Sequence, residues 1–219
     1  NPLLELPTLK TPSFRTAALV VTLINAACLV TNTTLPILLQ TALGASAFET
    51  GMVMLPAAAV GIVLSPVAGM VFDRFGPRAI SVAGLALMTA ALFMFSGANE
   101  NMSVVTAAVL CGMQACGQSM ANMPVNTWGV NALRDDLIAH GNAIANTGRQ
   151  VAGGLATALI VTAMTGVTSS QIASGVEVAA ATAAGVGSAY FICGCIGAVA
   201  LVFAIFCVKH PKHPAKQAA

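Results

Sequence analysis

Charge is what this sequence has least of. Only 7% of its 219 residues are charged and 57% are hydrophobic, whereas a soluble domain carries roughly a quarter charged residues. That balance excludes water as its main solvent. The sequence also lacks the alternation of polar and apolar residues, over about ten positions, that marks a transmembrane β-strand. Its apolar stretches are continuous and rich in Ala, Leu and Met, and helices are the other way to satisfy backbone polar groups in lipid.

Further absences narrow the chemistry. The three histidines, His140, His210 and His213, show no metal-ligand spacing. No nucleophile can be paired with a base, and no phosphate-binding loop occurs. An enzyme is therefore not expected, nor a metal, a cofactor or a nucleic-acid partner. The six cysteines, Cys28, Cys111, Cys116, Cys193, Cys195 and Cys207, all fall in apolar stretches without paired loop spacing, and read as small packing residues. The first apolar stretch has no small-residue cleavage site and runs on at spanning length, unlike a secretory signal. The chain begins at Asn1 rather than Met, and is read as a fragment with a segment missing upstream.

What is present is a set of long apolar runs. A helix needs roughly 20 apolar residues to cross the hydrocarbon core, and six such spans are predicted at about 14–40, 50–72, 79–97, 102–128, 138–165 and 185–208. The expected fold is an all-α membrane protein. It forms a single six-transmembrane-helix bundle in a lipid bilayer, followed by a basic tail over 209–219. Ser46 followed by Glu49 matches a capping box at the start of the second span.

Loop charges orient the bundle. Lys10, Arg15, Arg74, Arg78, Arg134, Lys209, Lys212 and Lys216 fall on one side of the predicted spans, and only Glu49, Glu100 and Glu177 on the other. The positive-inside rule then puts both termini in the cytoplasm.

Polar residues inside the spans are the candidates for function, because they face a bundle interior or a water-filled cavity. The fourth span carries Gln114, Gln118, Asn122 and Asn126 at four-residue intervals, which keeps them on one slowly drifting helical face. The fifth carries Asn142, Asn146, Arg149 and Gln150 beside Gly153 and Gly154, and the first carries Thr22, Asn25 and Asn32, with Gln40 further along. These stripes read either as a cavity lining or as amides that hold helices together. Met113, Met120 and Met123 offer soft apolar contacts to a ligand or plain packing.

Arg149 is the sharpest single feature. If its helix starts near Ile138, it sits about 16 Å deep, near the middle of a hydrocarbon core roughly 30 Å thick. No Asp or Glu of this sequence is expected at that depth. Its counter-charge would be a carboxylate on an absent partner, an anionic substrate, or carbonyls and amides alone.

Between the second and third spans runs Gly69-Met-Val-Phe-Asp73-Arg74-Phe-Gly76-Pro-Arg78. This string resembles the cytoplasmic signature of the major facilitator superfamily. Three further strings resemble the C-terminal part of its 14-helix drug:proton antiporters: Pro2-Leu-Leu-Glu-Leu followed by Pro12-Ser-Phe-Arg15, Gly51-Met-Val-Met-Leu-Pro56, and Gly141-Asn-Ala-Ile-Ala-Asn146-Thr-Gly-Arg149-Gln150. The Arg-bearing fourth helix and Gly-Pro-rich fifth helix typical of that family's N-terminal half are missing.

The resemblance implies a half built from two inverted three-helix repeats, with substrate bound between halves near the midplane. It implies proton-coupled efflux of amphipathic small molecules by alternating access, in a bacterial inner (plasma) membrane. The proton would be the coupling ion, carried by an acid on the absent N-terminal transmembrane half. Asn25, Asn32, Gln114, Gln118, Asn122, Asn126, Asn146, Arg149 and Gln150 would line the substrate path. Gly69, Asp73, Arg74, Gly76 and Arg78 would form a cytoplasmic gating latch. Two other readings stand beside it: uptake or exchange of a small anionic solute held by Arg149, and a non-transporting membrane scaffold whose polar stripes are glue.

Overall fold

In a computed structural model the described residues are 11–133 and 137–207, with the side chains of 65–67, 69, 71–75 and 77 left out of the description. The latch residues Gly69, Asp73 and Arg74, the loop residues Arg134, Asp135 and Asp136, and the tail 209–219 therefore lie outside it.

The described chain is helical almost throughout. Helix α1 (Pro12–Ile37) opens with a proline in its first turn, where the missing N–H costs no internal bond. Pro36, near its far end, removes one backbone donor, and the helix widens at once into a π-turn over Leu38–Ala42. Gly44, at φ 67, closes that end. Helix α2 (Ala47–Ser96) begins with the capping box expected from sequence: Ser46 N–H donates to Glu49 Oε2 at 2.7 Å and Glu49 N–H to Ser46 Oγ at 3.2 Å.

α2 is two limbs joined at a break. Gly76 has φ 80 and ψ 168, a conformation closed to residues with a Cβ, and the following Pro77 disfavours helical geometry before it. The limbs Ala47–Leu64 and Arg78–Ser96 are each long and apolar enough to cross a membrane, as are the other four helical segments. Helix α3 (Val104–Val130) is capped by Ser103, whose Oγ accepts from Val105 N–H.

Helices α4 (Ile138–Ala173) and α5 (Val178–Cys207) are longer than hydropathy alone predicts. The polar stretch after Thr165 does not stop α4, because its hydroxyls bond back to the helix's own carbonyls. Thr168 Oγ1 donates to Met164 O at 3.0 Å and Ser170 Oγ to Val167 O at 2.8 Å. The helix ends where Gly175 turns to φ 84.

The core lies where α5 packs on α1 and on the second limb of α2, which itself packs on α3. Tyr190 of α5 stacks on Phe95, with ring centroids 4.5 Å apart and planes inclined by 14°. Around them Ile24, Leu35, Met88 and Leu92 are fully enclosed. The first limb of α2 and helix α4 are the least covered, and display Leu55, Ile62, Leu155 and Leu159 outward. In water that surface would be costly; in lipid or against another helical body it is not.

Candidate functional site

The amide stripe of α3 leads to the site. Gly117 on the same helix lets it lie directly on the second limb of α2, so that α3 is held on one side and its amides turn toward the first limb and α1. Gln114 and Gln118, with Cys28, Thr31 and Asn32 of α1 and Met54, Ala57 and Ala58 of α2, line a cavity of about 270 Å³; Cys111 and Ala115 complete it. A second cavity, of about 450 Å³, continues along α3 past Gln118, Ser119, Asn122, Met123 and Asn126 against Ala58, Gly61 and Ile62. Gln118 and Ala58 line both, so the two cavities adjoin and each of the four predicted amides of α3 lines at least one of them.

Gln114 is the most enclosed of them, 4% exposed. Its Nε2 donates to Thr31 Oγ1 at 2.8 Å, and that hydroxyl gives its own hydrogen to Ala27 O at 3.0 Å. The Oε1 of Gln114 is buried with no hydrogen-bond partner among the described residues. Leaving such an acceptor unsatisfied costs about 1–3 kcal/mol. Beside it, Asn32 Nδ2 donates to Cys28 Sγ at 3.7 Å. Among the described residues, none that lines either cavity is charged.

The predicted residues of α4 are not brought to this space. Asn146 and Gln150 are exposed and Arg149 is half-buried, on a helix that packs on the opposite flank of α1. The Arg149 Nη2 donates to Asn146 Oδ1 at 2.5 Å, one turn away on the same helix. Asn25 of α1 faces this flank instead of the cavities, with its Nδ2 at 3.5 Å from Arg149 O. The chain comes close here because Gly153 has no side chain; a Cβ there would lie 2.6 Å from Leu29 Cδ1. A separate cavity of about 360 Å³ between α1 and α4 is lined by Phe14, Ala18, Leu19, Thr22, Leu23, Ile144, Ala145 and Gly148, and is almost wholly apolar.

Of the methionines, Met123 lines the second cavity, Met113 packs against the core and Met120 packs toward Gly84. Sequence reasoning missed the wall formed by the first limb of α2. Its members Met54, Ala57, Ala58 and Gly61 look like ordinary lipid-facing residues. It also missed Cys28 and Thr31, for which the only signal is their place beside Asn32 on the same helix, Cys28 one turn before it and Thr31 next to it. Of the latch residues, the structure describes Gly76 at the break in α2 and Arg78, which is exposed.

Among the described residues, six apolar helical segments around amide-lined cavities define a multi-pass membrane protein of the transporter class. A family model described as Major Facilitator Superfamily matches residues 1–157, and the chain belongs to that superfamily, whose members are transporters. It is 34% identical over 217 residues to the uncharacterized MFS-type transporter YcnB of Bacillus subtilis (strain 168), covering 99% of this chain and 45% of the relative. It is 34% identical over 211 residues to the lincomycin resistance protein LmrB of Listeria monocytogenes serovar 1/2a, covering 93% of this chain and 45% of the relative. To the multidrug resistance protein B homolog of Mycobacterium tuberculosis (strain ATCC 25618 / H37Rv) it is 26% identical over 167 residues, covering 75% and 31%. The chain thus spans less than half the length of these curated relatives.

Proposed function

We propose that this chain is the C-terminal six-helix half of a 14-helix drug:proton antiporter that expels amphipathic molecules by alternating access. The adjoining cavities along α3 form its share of the substrate path. The observation that carries the reading is that Gln114, Gln118, Asn122 and Asn126 line two adjoining cavities. Gln114 does reach across to Thr31 of α1 through Nε2, but its Oε1 has no partner among the described residues. Similarity to proteins named for lincomycin and multidrug resistance supports efflux, and the coverage of 45% supports a missing half.

Proton coupling is assigned to that missing half, because no acidic residue among the described ones lines either cavity. The loop charges support both termini being cytoplasmic, and the similarity to bacterial transporters supports a bacterial plasma-membrane location. Asp73, Arg74 and Arg78 are then the latch that biases a rocking equilibrium about the Gly76 turn. The anionic-solute reading is the weaker one, since its ligand Arg149 lies outside both cavities and already bonds Asn146.

The test is labelling of single cysteines placed at Asn122, Asn126 and Asn146 in the full-length parent protein, with the native cysteines replaced, with and without lincomycin. Lincomycin should block the first two and spare Asn146. Uniform inaccessibility at Asn122 and Asn126 would make the stripe structural and refute the path.

A further inference from the structure

Past Gln118 the amides of α3 are left unpaired. Asn122 and Asn126 are half-buried on the wall of the larger cavity. Neither makes a hydrogen bond among the described residues, and their amide atoms keep accessible surface. Gln118 stands one turn before Asn122, where the two cavities adjoin. Four residues of helix rise about 6 Å, so the three amides form a row about 12 Å long. Facing them, Ala58, Gly61 and Ile62 bring no polar side chain of their own.

Such a row fits one kind of partner better than others. Each amide sets a carbonyl acceptor beside an N–H donor, and a hydroxyl likewise both donates and accepts. Two neighbouring hydroxyls can therefore pair with both ends of one amide. An ammonium offers only donors and a carboxylate only acceptors, so either leaves half of each amide unsatisfied once water is displaced, which is costly. The larger cavity, about 450 Å³, has the size usual for small-molecule sites. The smaller one is walled largely by Met54, Ala57, Ala58, Cys111 and Ala115, and suits an apolar group on the same molecule.

We propose that the row Gln118, Asn122 and Asn126 binds the polyhydroxylated head of a glycoside-like amphiphile, whose apolar part enters the smaller cavity. This rests on the substrate path proposed above and adds its ligand class.

The experiment uses the full-length parent protein in proteoliposomes, with the native cysteines replaced and Ser119→Cys as reporter. Ser119 lines the same cavity, and the change replaces only its hydroxyl oxygen by sulfur. Maleimide labelling of this cysteine is slowed by whatever fills the space beside it. Octyl β-glucoside is compared with 2-octyloxytetrahydropyran, which keeps the ring and tail and lacks every hydroxyl, both below the concentrations that disturb the bilayer. The glucoside should halve the labelling rate at a roughly tenfold lower concentration, the worth of one to two neutral hydrogen bonds.

Asn122→Ala and Asn126→Ala together should bring the two ligands to equal potency, while Gln150→Ala, exposed on the far flank, should leave the preference intact. If the paired variant does not yield folded protein, octyl tetra-O-methyl-β-glucoside carries the test with the amides in place. It keeps every acceptor and loses every donor, and should lose most of the preference. Equal potency of glucoside and tetrahydropyran in the reporter protein would overturn the proposal, as would a preference that survives the paired variant or full methylation. If the preference fails while lincomycin still protects a cysteine at Asn122, the ligand class is wrong and the path stands. If protection by lincomycin fails as well, the path itself is wrong.

Discussion

Gly84 and Gly117 press α2 and α3 backbone to backbone: a Cβ built on Gly117 would lie 2.5 Å from Gly84 O and 2.5 Å from Met88 N. Neither atom can move without moving its helix. Gly117→Ala should therefore destabilise the protein by about 1–3 kcal/mol, the usual penalty for overpacking, and should widen the gap beside the amide stripe. Thermal unfolding in detergent checks this; Gly112→Ala, on the same helix with open space around it, should cost nothing measurable.

The start of α2 offers a second test. Ser46 and Glu49 cap each other reciprocally. Ser46→Ala should cost about 1 kcal/mol, while Glu49→Gln should cost less, because Gln can still reach back to the Ser46 N–H. Equal losses in thermal unfolding would show that the charge of Glu49, and not the capping box, stabilises this end.

Tyr190 supplies a third. Its ring stacks on Phe95, but its Oη is buried without a hydrogen-bond partner among the described residues. Tyr190→Phe keeps the stack and removes the orphan, and should be neutral or stabilising by up to about 1 kcal/mol. Tyr190→Ala should cost about 3–5 kcal/mol. A clear loss of stability in Tyr190→Phe would mean that the hydroxyl is satisfied in solution.

A fourth contrast concerns function. Gln118 lies at the junction of the two cavities, while Gln150 is exposed on the far flank. In the full-length parent, Gln118→Leu should lower drug efflux roughly tenfold, the value of one hydrogen bond of about 1.4 kcal/mol. Gln150→Leu should stay within about twofold. The reverse order, measured as initial efflux rates from loaded cells, would move the path to the α4 flank.

These contrasts also show what the sequence could disclose. The stripe on α3 was legible because four amides at constant spacing leave a periodic trace in an otherwise apolar helix. The same logic does not carry α4 to the α3 cavities. Periodicity puts Asn146, Arg149 and Gln150 near one another, but it does not say toward which neighbour the helix turns, and α1 stands between them and the α3 cavities. The facing wall was invisible for the opposite reason. Met54, Ala57 and Ala58 are what a lipid-facing helix also uses, so only packing distinguishes them.

Helix ends followed a different physics. Hydropathy falls at Thr165 and Thr168, yet those hydroxyls turn back onto the helix's own carbonyls, and the backbone continues unbroken to Ala173. Polarity marks where a membrane span loses its appeal to lipid. It does not mark where a helix stops.

That extra length fixes a dimension of the molecule in its bilayer. A helix of 36 residues is about 54 Å long, and transmembrane helices lean by no more than about 40°. At that greatest tilt α4 still reaches about 41 Å along the membrane normal, against a hydrocarbon layer of roughly 30 Å. About 11 Å of it must stand clear of the oil, and the segment furnished for that is the one from Thr165 to Ser174, whose hydroxyls are satisfied by the helix's own carbonyls. The rod ends as a hydrophilic post projecting through the headgroups, a part of a membrane protein that a water-borne reagent can grip.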